Sequence, residues 1–410
     1  MASLRARLLH SVAGVVAALI ASLVVAAPGA AHRRQVPLSG EGKGLELVAN
    51  IEYLGGTDME LFSRGDRDYA VTGSAPGVGG AEAGAMRIID ITVPERPVLI
   101  SMLECSLYQM DVQLSSDRNV AILGADAAGE ANACAAMGRA GFMTVDISDV
   151  EEPKVLGFAE IPRGSHNITA HPTQPFVYNS DSDALPGQIQ IWSIADPRHP
   201  ELVNTVSSFP SSPHDIAFNK DGSLAVTAAK RQIDLFDTTD PAHPVELHKA
   251  LCAGCALVHD AQFTPDGKRV IVGDEAGGGG AYPCPGGALY FYSVQSGTDG
   301  PVLVPTGAYM PDEIYTARDD QSAPDSCTSH VFDIAPDGQH IAVSWYSAGT
   351  RYLDISSTTG VTWGGSGVGA SEEAWFMPDG GLSWASKFHK GPYIYSSDMQ
   401  RGFDVYRIVD

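Results

Sequence analysis

The sequence predicts an all-β fold, a seven-bladed β-propeller, and two observations carry that prediction. The first is a phrase that recurs seven times: a short β-rich strand, a turn with Asp and Pro, and a second short strand. It reads Met86-Arg87-Ile88-Ile89-Asp90-Ile91-Thr92 with Pro97-Val98-Leu99-Ile100, then Met143-Thr144-Val145-Asp146-Ile147-Ser148 with Pro153-Lys154-Val155-Leu156. Ile189–Ile194 and Ile233–Thr238 repeat it, each running on into Asp-Pro, and weaker copies lie at Leu289–Val294, Arg351–Ser356 and Phe403–Ile408. Successive copies stand roughly 45 to 60 residues apart, the length of a four-stranded propeller blade. The second observation is that helical periodicity is nearly absent beyond the N-terminal segment.

The remaining strands of each blade can be placed from the turns. In the fourth unit Asp215-Ile216-Ala217-Phe218 runs into Asn219-Lys220-Asp221-Gly222 and then Ser223–Thr227. Pro265-Asp266-Gly267 and Pro336-Asp337-Gly338 are the same turn in later units, with Gly supplying positive φ and Asp a local hydrogen bond. The last copy ends after the third strand of its blade. Leu45-Glu46-Leu47-Val48-Ala49-Asn50 has no blade of its own and resembles the outer strand Glu201-Leu202-Val203-Asn204. It is therefore expected to supply the outer strand of blade seven and so to remove an open sheet edge. The propeller is read as residues 45–410, with residues 32–44 as a flexible leader.

Residues 1–31 read as a signal peptide. Arg5 and Arg7 precede the apolar run Ser11–Ala27, and Gly29-Ala30-Ala31 offers small residues before a cut at His32. The run sits at the lower limit for spanning a bilayer, so cleavage is preferred to a membrane anchor. The formal net charge is −23 at pH 7. Clustered Lys and Arg for displacing duplex counterions are missing, which argues against nucleic acid and anionic membrane as partners. The expectation is a secreted or cell-surface monomer, with no membrane insertion after signal cleavage.

Export sets the reading of the cysteines: Cys105, Cys134, Cys252, Cys255, Cys284 and Cys327 read as disulfides rather than metal thiolates. Cys105 and Cys134 fall in loops on one face of the same blade and are expected to pair. Cys284 is expected to bond Cys252 or Cys255, with the connectivity of that group open. Cys252-Ala253-Gly254-Cys255 lacks the following His of a haem attachment site, and no second CxxC completes a zinc ribbon.

With these segments in view, the chain resembles the LVIVD-repeat proteins, exported β-propellers named for the recurring strand. The resemblance runs from Leu45 to Asp410 and is clearest at Ile88–Ile91, Val145–Ser148 and Tyr395–Val405. It is looser to the selenium-binding, methanethiol-oxidase propellers, a likeness that implies internal histidines in metal binding. The repeated strand speaks to fold and says little about activity.

Candidate chemistry comes from the innermost strands, which line the central channel. Four successive blades open that strand with histidine: His166-Asn167, His214-Asp215, His259-Asp260 and His330-Val331. Aligning the other blades puts Asp58, Met110 and Glu372 at the same position. Imidazoles converging on a narrow channel suit Cu or Zn, and Met110 as a soft ligand would favour copper. Glu372 and Asp58, beyond His330 across the closure, are the candidate general bases for a metal-activated water. The competing reading is a structural ring in which each histidine bonds its own loop. Acids at Asp181, Asp183, Asp274 and Glu275 fall on loops at the channel mouth and read as solvated, with calcium the minor alternative.

Other motifs are missing. Gly277–Gly280 has no Lys-Ser/Thr after it, Gly364-Gly365-Ser366-Gly367-Val368 is not a nucleophile elbow, and no HExxH occurs. The leading function is a propeller that binds a protein partner or small-molecule ligand on its loop face, where Ala308–Ser326 is a long acidic loop. The alternative is a metal-dependent oxidase or hydrolase at the channel mouth. A structural cell-envelope module is the third reading.

Overall fold

In the computed structural model, described here for residues 38–409 except 82, 127–139, 181–186, 210–212, 277–286, 299, 312–326 and 364–368, seven antiparallel sheets form a ring. Blade 1 comprises Gly56–Arg64, Arg67–Ser74, Ala85–Asp90 and Val98–Glu104. Blades 2, 3 and 4 begin at the inner strands Gln109–Leu114, Asn167–Ala170 and Asp215–Phe218. Blades 5, 6 and 7 begin at Val258–Phe263, Phe332–Ile334 and Ser383–Phe388. Each inner strand packs against the next around the whole ring, and the inner strand of blade 7 packs against that of blade 1. Among the described residues the only helical element is a 3-10 turn at Val78–Gly80, and no helix is long and apolar enough to cross a membrane.

The recurring phrase has a local cause. Oδ1 of Asp90, Asp146, Asp237 and Asp354 each accepts the amide two residues on, at 2.8, 2.8, 2.9 and 2.6 Å. This side-chain turn ends the third strand and reverses the chain into the fourth. Every blade then carries a bulge between third and fourth strands, for example at Ile88/Ile89, Leu235/Phe236 and Phe291/Tyr292. A bulge adds twist, which the outer strand of a strongly twisted blade requires. Apolar residues of adjacent blades meet between the sheets, as where Met86 and Ile88 of blade 1 join Val112, Leu123 and Met143 of blade 2.

Leu45–Ile51 pairs antiparallel with Gly402–Ile408 as the outer strand of blade 7, as the sequence predicts. The leader expectation is corrected in part. Gly40–Lys43, within the segment 32–44, forms a fifth strand on blade 6, in register with Trp375–Pro378. Its residues are small or charged and all exposed, so the sequence carried no apolar alternation to reveal it. A second addition is Gly360–Trp363, which lies in the chain within blade 6 but pairs parallel with Gly307–Met310 of blade 5.

The cysteine expectation changes too. Cys252 and Cys255 bond each other across a tight turn with Cα atoms 5.3 Å apart, so neither is left for Cys284. Their spacing closes that turn locally, with the Cys255 amide donating to the Cys252 carbonyl at 3.2 Å. Cys105 and Cys327 are disulfide-bonded as well. Cys134 and Cys284 lie outside the described residues, so the expected Cys105–Cys134 bridge does too.

Candidate metal centre and axial channel

Successive residues of the inner strands build three levels along the channel. At the first level stand His166, His214, His259 and His330, all side by side: neighbouring ring centroids are 4.5, 4.1 and 4.2 Å apart. Hydrogen bonds at Nδ1 fix the tautomers of three of them. His166 Nδ1–H donates to Asp126 Oδ2 at 3.0 Å, His214 Nδ1–H to the His259 carbonyl at 3.1 Å, and His330 Nδ1–H to the Trp384 carbonyl at 2.6 Å. In each neutral ring this leaves Nε2 as a lone-pair donor. His166 Nε2 and His214 Nε2 nevertheless face each other at 2.9 Å. Two lone pairs at that distance repel unless a proton or a metal ion lies between them.

Glu275 joins this group from the loop after the second strand of blade 5. Its Oε2 is 3.6 Å from His259 Nε2 and its Oε1 is 3.7 Å from His330 Nε2. Tyr346, one of the few non-glycine residues with positive φ, donates its hydroxyl to Glu275 Oε1 at 2.5 Å. Donor atoms of His214, His259 and Glu275 all lie within 4.8 Å of one another. Metal–nitrogen bonds of about 2.0–2.1 Å place two donors about 3–4 Å apart. The His166–His214 pair lies close to that spacing. His259 Nδ1 is buried with no hydrogen-bond partner. A buried structural histidine looks different: His171 uses both nitrogens, Nε2–H to the Gly222 carbonyl and Nδ1 from the amides of Thr173 and Gln174.

Electrostatics keep His214, His259 and His330 neutral. Burial, then repulsion from His166, holds His214 well below the ordinary imidazole value. Burial and His214 do the same to His259, and burial brings His330 down to about 3. Burial pushes Glu275 up to about 7. Neutral imidazoles tied at Nδ1 to a carboxylate or carbonyl are the form in which histidine ligates zinc and copper.

Three of the seven aligned positions need correction. Glu372 is not on an inner strand but on the outer strand of blade 6, Ser371–Pro378, where it accepts from Arg351 and Tyr309 at 2.7 and 2.8 Å. The residue facing the histidines from blade 7 is Trp384, whose ring lies 4.5 Å from that of His330. Met110 holds its place in the inner strand, but its side chain packs among Met86, Leu123 and Met143. Asp58 is one step further along the channel than the histidines, and Thr57 occupies the histidine level. Glu275, by contrast, is buried rather than solvated, and Asp274 accepts the amides of Ala256 and Leu257 at 3.0 and 2.7 Å. Asp181 and Asp183, the glycine run Gly277–Gly280 and most of the loop to Ser326 lie outside the described residues.

The second and third levels were not foreseen. Asp58, Asp111, Asn167, Asp215 and Asp260 occupy equivalent positions in blades 1 to 5, and Glu60, Asp333 and Lys387 stand beyond them. Together they line a cavity of about 380 Å³. Burial, then Asp58 and Asp215, raises the carboxyl of Asp111; burial, then Asp260, raises that of Asp215; and burial raises Asp58 despite nearby Lys387. Lys387 donates to Glu60 Oε1 at 2.8 Å and stands 3.7 Å from Asp58 Oδ1. Burial alone would lower its pKa, but those two acids hold it above the ordinary lysine value. The signal was present in the sequence as an Asp or Asn in the same strand column of five blades.

Asp333 gives a pH test of this channel. Burial raises its carboxyl to about 6, so between about 4 and 6 the folded state binds the proton that the unfolded chain releases. Its contribution to stability is therefore largest below the unfolded value and is lost as pH rises through 6. The group is half-buried in a channel that water can enter, which trims the effect to about 1–2 kcal/mol. Asp333→Asn should raise the thermal midpoint at pH 8 and leave it unchanged at pH 4. Equal midpoints at both pH values would show that water already relieves the charge.

No family model matches the chain and no curated protein matches it, so the LVIVD-repeat and selenium-binding likenesses gain no support from a family match. Solved structures do resemble it. The Cps50 (Swd1) β-propeller domain of Myceliophteria thermophila matches at a TM-score of 0.62 with 11% identity, covering 89% of this chain and 100% of that one. A functionally unknown protein from Desulfotomaculum acetoxidans matches at 0.55 with 15% identity, covering 77% of this chain and 88% of that one. At these identities the likeness is one of fold. The chain is a seven-bladed β-propeller.

Proposed function

We propose that this chain is an exported β-propeller that carries one transition-metal ion, zinc or copper, at the histidine end of its channel and binds its ligand or protein partner on the loop face around that ion. One observation carries the metal assignment. His166, His214 and His330 each spend Nδ1–H on a fixed acceptor, and the Nε2 atoms of His166 and His214 then meet at 2.9 Å. His166, His214, His259 and His330 would supply imidazole nitrogens and Glu275 a carboxylate oxygen. A bound ion would supply Lewis acidity, or redox chemistry in the case of copper. Trp384 and Tyr346 pack against His330 and keep that side of the site dry. Export is supported by the signal-like N-terminus and by disulfides that suit an oxidising compartment.

The second reading, a metal-dependent oxidase or hydrolase, is favoured by Tyr346. Its hydroxyl sits on Glu275 next to the donor nitrogens, where it can hold a proton at the carboxylate.

The test is elemental analysis of tag-free protein purified without chelator, followed by titration of the stripped protein with Zn²⁺ and Cu²⁺. About one ion per chain is expected. His214→Ala and His259→Ala should each weaken binding by a hundredfold or more at unchanged circular dichroism, whereas Met110→Leu should bind normally. Wild-type protein that neither carries nor takes up metal would leave the 2.9 Å contact as a shared proton, with the histidines purely structural.

A further inference from the structure

We propose that the acidic half of the channel is the loading vestibule for the metal: it holds a hydrated divalent cation and passes it to the histidine end. This rests on the metal reading above.

The chemistry of the cavity selects the occupant. Six carboxyl groups face it against one lysine, a lining of oxygen donors that suits a hard cation rather than an anion. Among the described residues no three of the channel acids bring donor atoms within 4.8 Å of one another. With fewer than three carboxyl groups converging on one point, the channel would hold an ion largely through its hydration shell. Six waters at about 30 Å³ each occupy about 180 Å³, which fits the cavity of about 380 Å³.

The exposure gradient gives the direction. Side chains of Glu60 and Lys387 are 20% and 15% exposed, whereas that of Asp58, one level deeper, is 6% exposed. Beyond Asp58 and Asp111 lies a second void of about 10 Å³ that reaches His259 and His330. It has room for about one water-sized occupant, which admits an ion shedding its shell and excludes an organic cation. His259, 3% exposed, borders this void and keeps its Nδ1 without a hydrogen-bond partner. A weak outer site and a dry, nitrogen-lined inner site, joined by a neck of ionic size, form a two-stage path.

Stopped-flow loading of the tag-free, stripped protein with CoCl₂ tests this, followed by the visible bands of imidazole-bound cobalt. Three proteins are compared: wild type, the channel variant Glu60→Gln with Asp111→Asn, and a surface variant Asp149→Asn with Glu151→Gln that makes the same two kinds of substitution. The amides keep the shape of the acids, and after Asp111→Asn the side-chain amide oxygen can still accept the Ile168 N–H, which Asp111 accepts at 2.7 Å. The channel variant should load about tenfold more slowly, the surface variant at the wild-type rate, and all three should reach the same cobalt content. Wild-type loading should also slow about tenfold between roughly 10 and 300 mM salt. A channel variant that loads at the wild-type rate, or a wild-type rate indifferent to salt, would overturn the vestibule and place access beside His166, 17% exposed at the other end. Wild-type protein that takes up no cobalt would overturn the metal reading itself, and the vestibule with it.

Discussion

Arg401→Ala is expected to lower the thermal midpoint on the order of 10 °C, the largest effect of any single substitution outside the histidine group. The Arg401 and Asp404 side chains are 2% and 0% exposed. The guanidinium donates twice to Asp404, at 2.9 and 3.2 Å, and once to the Asp379 carbonyl. Asp404 also receives Asn50 Nδ2 at 2.8 Å, so the pair sits where the first and last strands of the ring meet. Removing the arginine leaves a buried carboxylate without its counter-charge, a loss of about 3–5 kcal/mol. A second buried acid nearby, Asp398, is already pushed up to about 7 by burial and by Asp404. Adding Asp404→Asn to Arg401→Ala should restore part of the loss by removing the stranded charge. A midpoint for Arg401→Ala within about 2 °C of wild type would show that water reaches Asp404.

Deleting the chain through Ile51 is expected to have a larger effect still. It strips the outer strand from blade 7 and uncovers Phe403, Val405 and Tyr406, each at most 1% exposed in the intact ring. Leu45 and Leu47, 5% and 6% exposed, lose their burial, at about 1.5–3 kcal/mol each. The open edge of Gly402–Ile408 then offers unpaired backbone to other chains. Soluble oligomers and loss of a cooperative melt are expected by light scattering and calorimetry. A peptide spanning residues 40–51 added in trans should restore the monomer. A deleted chain that stays monomeric and melts within a few degrees of wild type would show that the closure is dispensable.

The fold was legible because its signals are local and repeated. An Asp closing the third strand in four blades and an Asp-Gly turn closing the inner strand in three are dictated by nearby backbone geometry, so they recur in the sequence. The histidines were legible for the same reason: they share one column of one strand. Glu372 was misplaced because Pro378-Asp379-Gly380 imitates the turn that follows inner strands at Pro265 and Pro336, while here it follows an outer strand. Asp58 slipped by one because the first strand of blade 1 carries a bulge between Gly56 and Met59. Glu275 and Asp126 could be noticed only as loop acids. His166, the partner of Asp126, and His330 and Tyr346, partners of Glu275, lie in other blades, and no spacing along the chain encodes a contact between blades.

The strands added from outside their own blades have a consequence for how the ring comes apart. Blade 5 borrows Gly360–Trp363 from the blade 6 segment, and blades 6 and 7 both borrow from residues 40–51. Blades 1 to 4 are each built from four consecutive strands and take no strand from a neighbour. The last three blades are therefore laced together by backbone, and none of them can open without breaking a neighbour's sheet. They should exchange amide hydrogens as one cooperative block, while blades 1 to 4 open singly and sooner. His259, Glu275 and His330 belong to the laced half and His166 and His214 to the looser one. The contact between His166 and His214 is then the part of the centre that breathes.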